Sequence, residues 1–162
     1  MAIVVMGVSG WGKSTVAEAI AQQTDGLMVE GDELHDAHCK AKMQRGEPLS
    51  DEDRALWLDR LAAALQREPQ RTVLSCSALK RRYRDQLRAA CPGLKFVFLD
   101  LPQPVAQRRV ASRPDHWFPA ALVSSQFEAL EPPVGEPDVL RIDASLPIEQ
   151  VIGQALPALS DA

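Results

Sequence analysis

An α/β fold, with a parallel β-sheet covered by helices on both faces, is predicted for this chain of 162 residues by three observations. Short apolar runs alternate with stretches of helical periodicity, the pattern of successive βαβ units. A complete G-x-x-x-x-G-K-[ST] sequence, Gly7 to Ser14, follows directly on the first of those runs. The length is enough to bury one good core but not two, so residues 1–162 read as a single domain.

Five apolar runs read as strands: Ile3 to Met6, Leu27 to Glu30, Thr72 to Ser75, Phe96 to Asp100 and Val139 to Ile142. Helices are expected over Lys13 to Gln23, Glu33 to Gln44, Asp51 to Arg67, Leu79 to Ala90, Val105 to Ser112, Pro119 to Leu130 and Ile148 to Leu159. Ser50 followed by Asp53 is a capping box for the third helix, with Leu58, Leu61, Ala62 and Leu65 as its buried stripe. The proline-rich stretches at 102–104 and 132–137 connect elements within the domain.

Composition narrows the function classes. The net charge of −4, with both signs interspersed, offers no footprint for nucleic acid or an anionic membrane surface. The cluster Lys80-Arg81-Arg82 with Arg84 is short and is explained locally. No apolar stretch reaches transmembrane length, and the N-terminal run reads as a strand rather than a signal sequence, so a cytoplasmic protein is expected. Cys39, Cys76 and Cys91 are odd in number and lack metal-ligand spacing, which suits reduced thiols.

The glycine-rich loop points to a nucleoside triphosphate. Gly7, Gly10 and Gly12 allow the tight turn that aims backbone N–H groups at phosphate oxygens. Lys13 supplies a compact charge for the β- and γ-phosphates, and the Ser14 hydroxyl can ligate Mg²⁺ at the start of the next helix, whose N-terminus adds partial positive charge. Ligands of open α/β sheets gather at the carboxyl ends of the strands. Polar clusters follow the strands there: Gly31-Asp32-Glu33-Leu34-His35 after the second, Cys76 to Lys80 with Tyr83-Arg84-Asp85 after the third, and Arg108, Arg109 and Arg113 leading to His116-Trp117-Phe118 after the fourth.

These segments resemble the P-loop gluconate kinases, relatives of shikimate kinase and the nucleoside monophosphate kinases. The resemblance covers nearly the whole chain through GVSGWGKST at 7–15, GDELH at 31–35, KMQRGEPLSDEDRALWL at 42–58, CSALKRRYRDQLR at 76–88 and HWFPAALVSSQFEALEPP at 116–133. The loop is shared by many NTPases, whereas G-x-P-L-x-D-x-D-R together with C-S-A-L-K-x-x-Y-R-D is specific. The resemblance implies a P-loop kinase fold with sheet order 2-3-1-4-5, a mobile lid at about 113–121 and a substrate-binding helical segment at about 33–67. It further implies transfer of the ATP γ-phosphoryl group to the 6-hydroxyl of D-gluconate, with Mg²⁺, in a chain that is commonly a homodimer.

Gly7, Ser9, Gly10, Trp11, Gly12, Lys13, Ser14 and Thr15 are then the phosphate site, and Ser14 and Asp32 the candidates for Mg²⁺. Lys13, Asp32 and Arg113 are the catalytic candidates. Asp32 can orient or deprotonate the acceptor hydroxyl, and it would also serve as a helix N-cap. Recognition of an anionic polyol needs a cation and several hydrogen-bonding groups, for which Arg54, Lys80, Arg84 and His35 are candidates. Helix-surface ion pairs are the alternative for the three cations, and a partly buried polar residue the alternative for His35. By resemblance Arg109 is the adenine partner and Arg113 the phosphate partner, with surface ion pairs as the other reading. Gln126 and Glu128 follow the lid, where the sequence does not separate substrate contact from helix surface.

Trp11 departs from the family, in which this position is usually small, and so does Pro114-Asp115 before the lid histidine. No clear Walker B aspartate is present, and Asp100 reads as a strand-end turn residue. Another small-molecule kinase would not predict the CSALK and PLSDEDR segments, and a GTPase switch is disfavoured by the lack of N-K-x-D. A nucleotide-binding regulator without phosphotransfer is suggested only by Trp11.

Overall fold

The strands stand in the order β2-β3-β1-β4-β5, all parallel, in a computed structural model that describes residues 1–9, 12–112 and 121–160. The strands are β1 (Ile3–Met6), β2 (Leu27–Glu30), β3 (Thr72–Ser75), β4 (Lys95–Asp100) and β5 (Val139–Asp143). The helices are α1 (Lys13–Thr24), α2 (Ala37–Gln44), α3 (Asp51–Arg67), α4 (Arg81–Ala90), α5 (Gln103–Ala111), α6 (Ala121–Ala129) and α7 (Ile148–Ser160). The implied P-loop kinase fold and strand order are therefore those observed. The expected lid lies almost entirely at 113–120, outside the described residues, as do Gly10, Trp11, Arg113, His116, Trp117 and Phe118.

β1 is central and buried along its whole length, because helices cover both faces of a parallel sheet. Its side chains alternate between two cores. Ile3 and Val5 meet Val16, Ile20, Val97 and Val151 on the side of α1, α5 and α7, whereas Val4 and Met6 meet Leu61, Leu65, Leu87 and Phe98 on the side of α3 and α4. Of the expected stripe of α3, Leu58, Leu61 and Leu65 are buried and Ala62 is only partly so, with Trp57 buried beside them, and Ser50 and Asp53 form the capping box.

Three expected helices differ at their starts among the described residues, α5 by beginning at Gln103 rather than Val105. In place of one helix from Glu33, the chain forms a 3₁₀ turn at Gly31–Leu34 and begins α2 at Ala37. The reason is Asp36, whose side chain accepts from the Cys39 N–H at 2.8 Å and caps α2. The cap role considered for Asp32 thus belongs to Asp36. The fourth helix begins at Arg81 rather than Leu79, because Ala78 takes a left-handed conformation (φ 44°) and Lys80 is extended.

Going from β1 the chain runs to β2 and β3 on one side and to β4 and β5 on the other, so a crevice opens at the carboxyl end of β1. Two glycines shape its walls. Gly7 has φ 146°, and a Cβ there would lie 2.8 Å from the Leu99 carbonyl oxygen. A Cβ on Gly31 would lie 2.3 Å from the Ser75 carbonyl oxygen, so only glycine lets the end of β2 approach β3 this closely.

Candidate active site

The phosphate loop leaves β1 at Gly7 and enters α1 at Gly12, which stands at the N-cap with φ 90° and no side-chain cap. The N–H groups of the first turn are consequently available to an anion. Lys13 lies over the loop, its Nζ donating to the Gly7 carbonyl at 3.1 Å. Ser14 and Thr15 are exposed at the start of the helix.

Ser14 is joined by a residue the sequence reading missed. Glu30, the last residue of β2, accepts from Ser14 Oγ at 2.5 Å through one oxygen and from Ser75 Oγ at 2.6 Å through the other. A hydroxyl and a carboxylate side by side are the hard oxygen donors that Mg²⁺ prefers, and Mg²⁺ sites in phosphate-binding enzymes need only one or two protein ligands beside waters and phosphates. The donor set at Ser14 and Glu30 fits such an ion. The signal was a carboxylate ending an apolar strand at the edge of the ligand crevice. Asp100, by contrast, is paired with Arg141 of β5 (Nε to Oδ2 at 2.6 Å), in keeping with its reading as a strand-end residue.

Beside the loop lies a pocket lined by Asp32, His35, Arg54, Trp57, Ser77 and Gln126, with Met43, Pro48, Leu49, Leu122 and Ser125 completing it. The 3₁₀ turn presents Asp32, and α3 presents Arg54 and Trp57. Trp57 Nε1 donates to the Gly31 carbonyl at 2.8 Å, and the indole stacks on His35 with ring centroids 4.5 Å apart. His35 is 6% exposed and its Nδ1 has no hydrogen-bond partner. Burial, reinforced by the Arg54 charge, pushes its pKa down to about 4. The ring is therefore neutral near pH 7 and offers a polar atom to whatever fills the pocket.

That shift has a consequence for stability. Between pH 6.5 and about 4 the unfolded chain takes up a proton on His35 that the folded chain refuses, so this group's contribution is intact above pH 6.5 and is lost as pH falls towards 4. The His35→Phe variant keeps an aromatic ring against Trp57 but cannot titrate. Urea unfolding at pH 7 and pH 4.5 is expected to show a smaller acid loss in that variant than in the parent chain; equal losses would contradict the assignment.

Of the four expected substrate contacts, the structure brings His35 and Arg54 to the pocket and places Lys80 and Arg84 elsewhere. Arg54 Nη1 also reaches the Tyr83 hydroxyl at 3.3 Å. Lys80 is paired with Asp51 at 3.0 Å, and Asp51 additionally binds Arg82 and the Tyr83 hydroxyl. These contacts, Arg82 foremost, hold the Asp51 carboxyl well below the usual carboxylate range. Arg84 is corrected to a structural role. It is fully buried, and its five N–H donors are all occupied: by both Glu136 oxygens (2.9 and 2.7 Å), and by the carbonyls of Ala78 (2.9 Å), Leu79 (3.1 Å) and Glu131 (2.9 Å). A buried guanidinium with every donor satisfied has none to offer a ligand.

A second depression is lined by Arg109, Ser112, Ser145, Leu146, Pro147 and Ile148. Arg109 Nη1 donates to the Ala144 carbonyl at 2.9 Å, which holds the guanidinium beside the β5–α7 connection. Ile148 connects this depression to the phosphate loop, since its Cδ1 lies 3.2 Å from where a Gly12 Cβ would stand. The loop thus lies between pocket and depression, touching Gln126 of the first through the Ser9 N–H and Ile148 of the second at Gly12.

Residues 3–133 match the family model described as AAA domain. The chain is 42% identical over 157 residues to the thermoresistant gluconokinase of Escherichia coli strain K12, covering 94% of this chain and 90% of that protein. Its fold superposes on the crystal structure of a gluconokinase from Sinorhizobium meliloti 1021 with a TM-score of 0.91 at 43% identity, covering 99% of this chain and 91% of the other. Shikimate kinase from Aquifex aeolicus, at 16% identity and a TM-score of 0.64, shares the fold.

Proposed function

The chain belongs to the gluconokinase family, and on that premise we infer that it transfers the γ-phosphoryl group of ATP to the 6-hydroxyl of D-gluconate, giving 6-phosphogluconate and ADP. The observation that carries the reading is the junction, in one crevice, of a complete phosphate loop with a pocket that combines a carboxylate, a guanidinium and a buried neutral imidazole. Phosphoryl transfer asks a protein for positioning and charge neutralisation more than for covalent chemistry.

In this reading the phosphates rest on the loop and the free N–H groups of α1, with Lys13 released from the Gly7 carbonyl to the β- and γ-phosphates. Magnesium, held by Ser14 and Glu30 with Asp32 nearby in sequence, supplies neutralising charge when bound. Arg54 takes the gluconate carboxylate, for which its planar fork is suited. His35 Nδ1 takes a hydroxyl, and Asp32 accepts the proton of the attacking 6-hydroxyl. Arg109 flanks the adenine, and Arg113 of the expected lid comes onto the transferring phosphate. A cytoplasmic homodimer is part of the same reading, and among the described residues no helix is long and apolar enough to cross a membrane.

ADP release from Mg²⁺-ATP, followed with D-gluconate, shikimate, a nucleoside monophosphate and no acceptor, tests the assignment. Release that depends on gluconate alone is expected. Release driven by another acceptor would overturn it.

A further inference from the structure

Resting on the gluconate reading, we propose that Gln126 is a positioning residue that makes acceptor and nucleotide binding depend on each other. Its Oε1 accepts from the Ser9 backbone N–H at 2.5 Å, across 117 positions of sequence. A backbone N–H can only donate, so the amide must present its oxygen to the loop, and Nε2 with its two donors faces the other way. Nε2 has no partner among the described residues, and Gln126 lines the acceptor pocket together with Leu122 and Ser125 of the same helix. One side chain therefore touches the phosphate loop with its acceptor and offers its donors to a polyol.

The clasp takes one N–H of the expected phosphate site, that of Ser9, and leaves the first turn of α1 open. Ser9 precedes Gly12, and the uncapped N–H groups at the start of α1 lie beyond it. α6 does not depend on the clasp for its position either. Leu122 and Val123 are buried in the core, and Ser124 Oγ accepts from Gln103 Nε2 at 3.2 Å and from Gln107 Nε2 at 3.1 Å on α5. A polyol hydroxyl bound to Nε2 fixes the Gln126 rotamer, and the fixed carbonyl holds the loop. The ordering of the loop is then shared between the two ligands, so each tightens the other by the same factor.

The test compares affinity for a non-hydrolysable ATP analogue with and without D-gluconate, beside steady-state kinetics. In the parent chain gluconate is expected to tighten the analogue by about fivefold or more. In Gln126→Leu that ratio falls to one, the KM for gluconate rises about tenfold, and the KM for ATP at saturating gluconate rises by about the lost coupling factor, while affinity for the analogue alone alters less than about twofold. Gln126→Glu keeps an oxygen for Ser9 but has no donor, and it shows the same rise in gluconate KM. A melting temperature near that of the parent shows that the variants fold. Parent turnover of gluconate without coupling, or coupling that survives in Gln126→Leu, overturns the role of Gln126 alone. Absence of gluconate turnover in the parent overturns the gluconate reading as well.

Discussion

Asp32→Asn is expected to leave a folded protein that binds ATP normally and phosphorylates gluconate roughly 10²–10⁴-fold more slowly, the range for loss of a positioned general base. Asp32 sits in the 3₁₀ turn between β2 and α2, where its backbone carbonyl accepts from the His35 N–H at 3.4 Å and its side chain borders the pocket. The capping duty that would have given it a purely structural purpose is performed by Asp36. Asn has the same shape but cannot accept a proton, so the loss should fall on kcat, with the KM for ATP little altered. Near-normal turnover in a folded Asp32→Asn protein would remove the catalytic assignment.

Arg84→Ala is expected to be the most destabilising single change among the residues discussed. It strands Glu136, 7% exposed, without the partner that uses both of its oxygens, and it leaves the carbonyls of Ala78, Leu79 and Glu131 without that donor. Burial works against ionisation of Glu136, and Arg84 and Arg88 outweigh it to keep the carboxyl below its usual range. Arg88 cannot replace the lost partner, because it is also bound to Asp138 at 2.6 Å and lies over the Phe96 ring. Breaking one half of a buried pair costs about 3–5 kcal/mol, and in a chain of this length each kcal/mol lowers Tm by about 2–4 °C. A fall of roughly 6–20 °C is therefore expected, with the gluconate KM of the remaining folded protein little changed. An unshifted Tm with a raised gluconate KM would restore Arg84 to the substrate site.

The contrast between these two residues shows what the sequence makes legible. The first three strands have the expected bounds, because each is a short apolar run closed by a polar or glycine-rich segment, and the start of α3 follows from its capping box. The phosphate loop is local chemistry and needed no coordinates to find. Arg84 is different. It stands in a polar helix among other charged residues, and only the connection before β5, more than forty positions away, brings the carboxylate that buries it. Lys80 is likewise claimed by Asp51 from another helix. Glu30 was hidden for the same reason, and Gln126 could not be told from helix surface, since their partners Ser9, Ser14 and Ser75 meet them only when the sheet is assembled. The break at His35 and Asp36 was available in principle, because an Asp three residues before Cys39 is a local cap signal that helical periodicity overrode.

The account stands on the reaction itself, so the most direct measurement is the product. ¹³C and ³¹P NMR of a mixture of the protein, Mg²⁺-ATP and D-gluconate is predicted to show ADP and a phosphomonoester coupled to C6 of gluconate, in equal amounts, and neither without the protein. ATP left intact, or phosphate on another carbon, would contradict it.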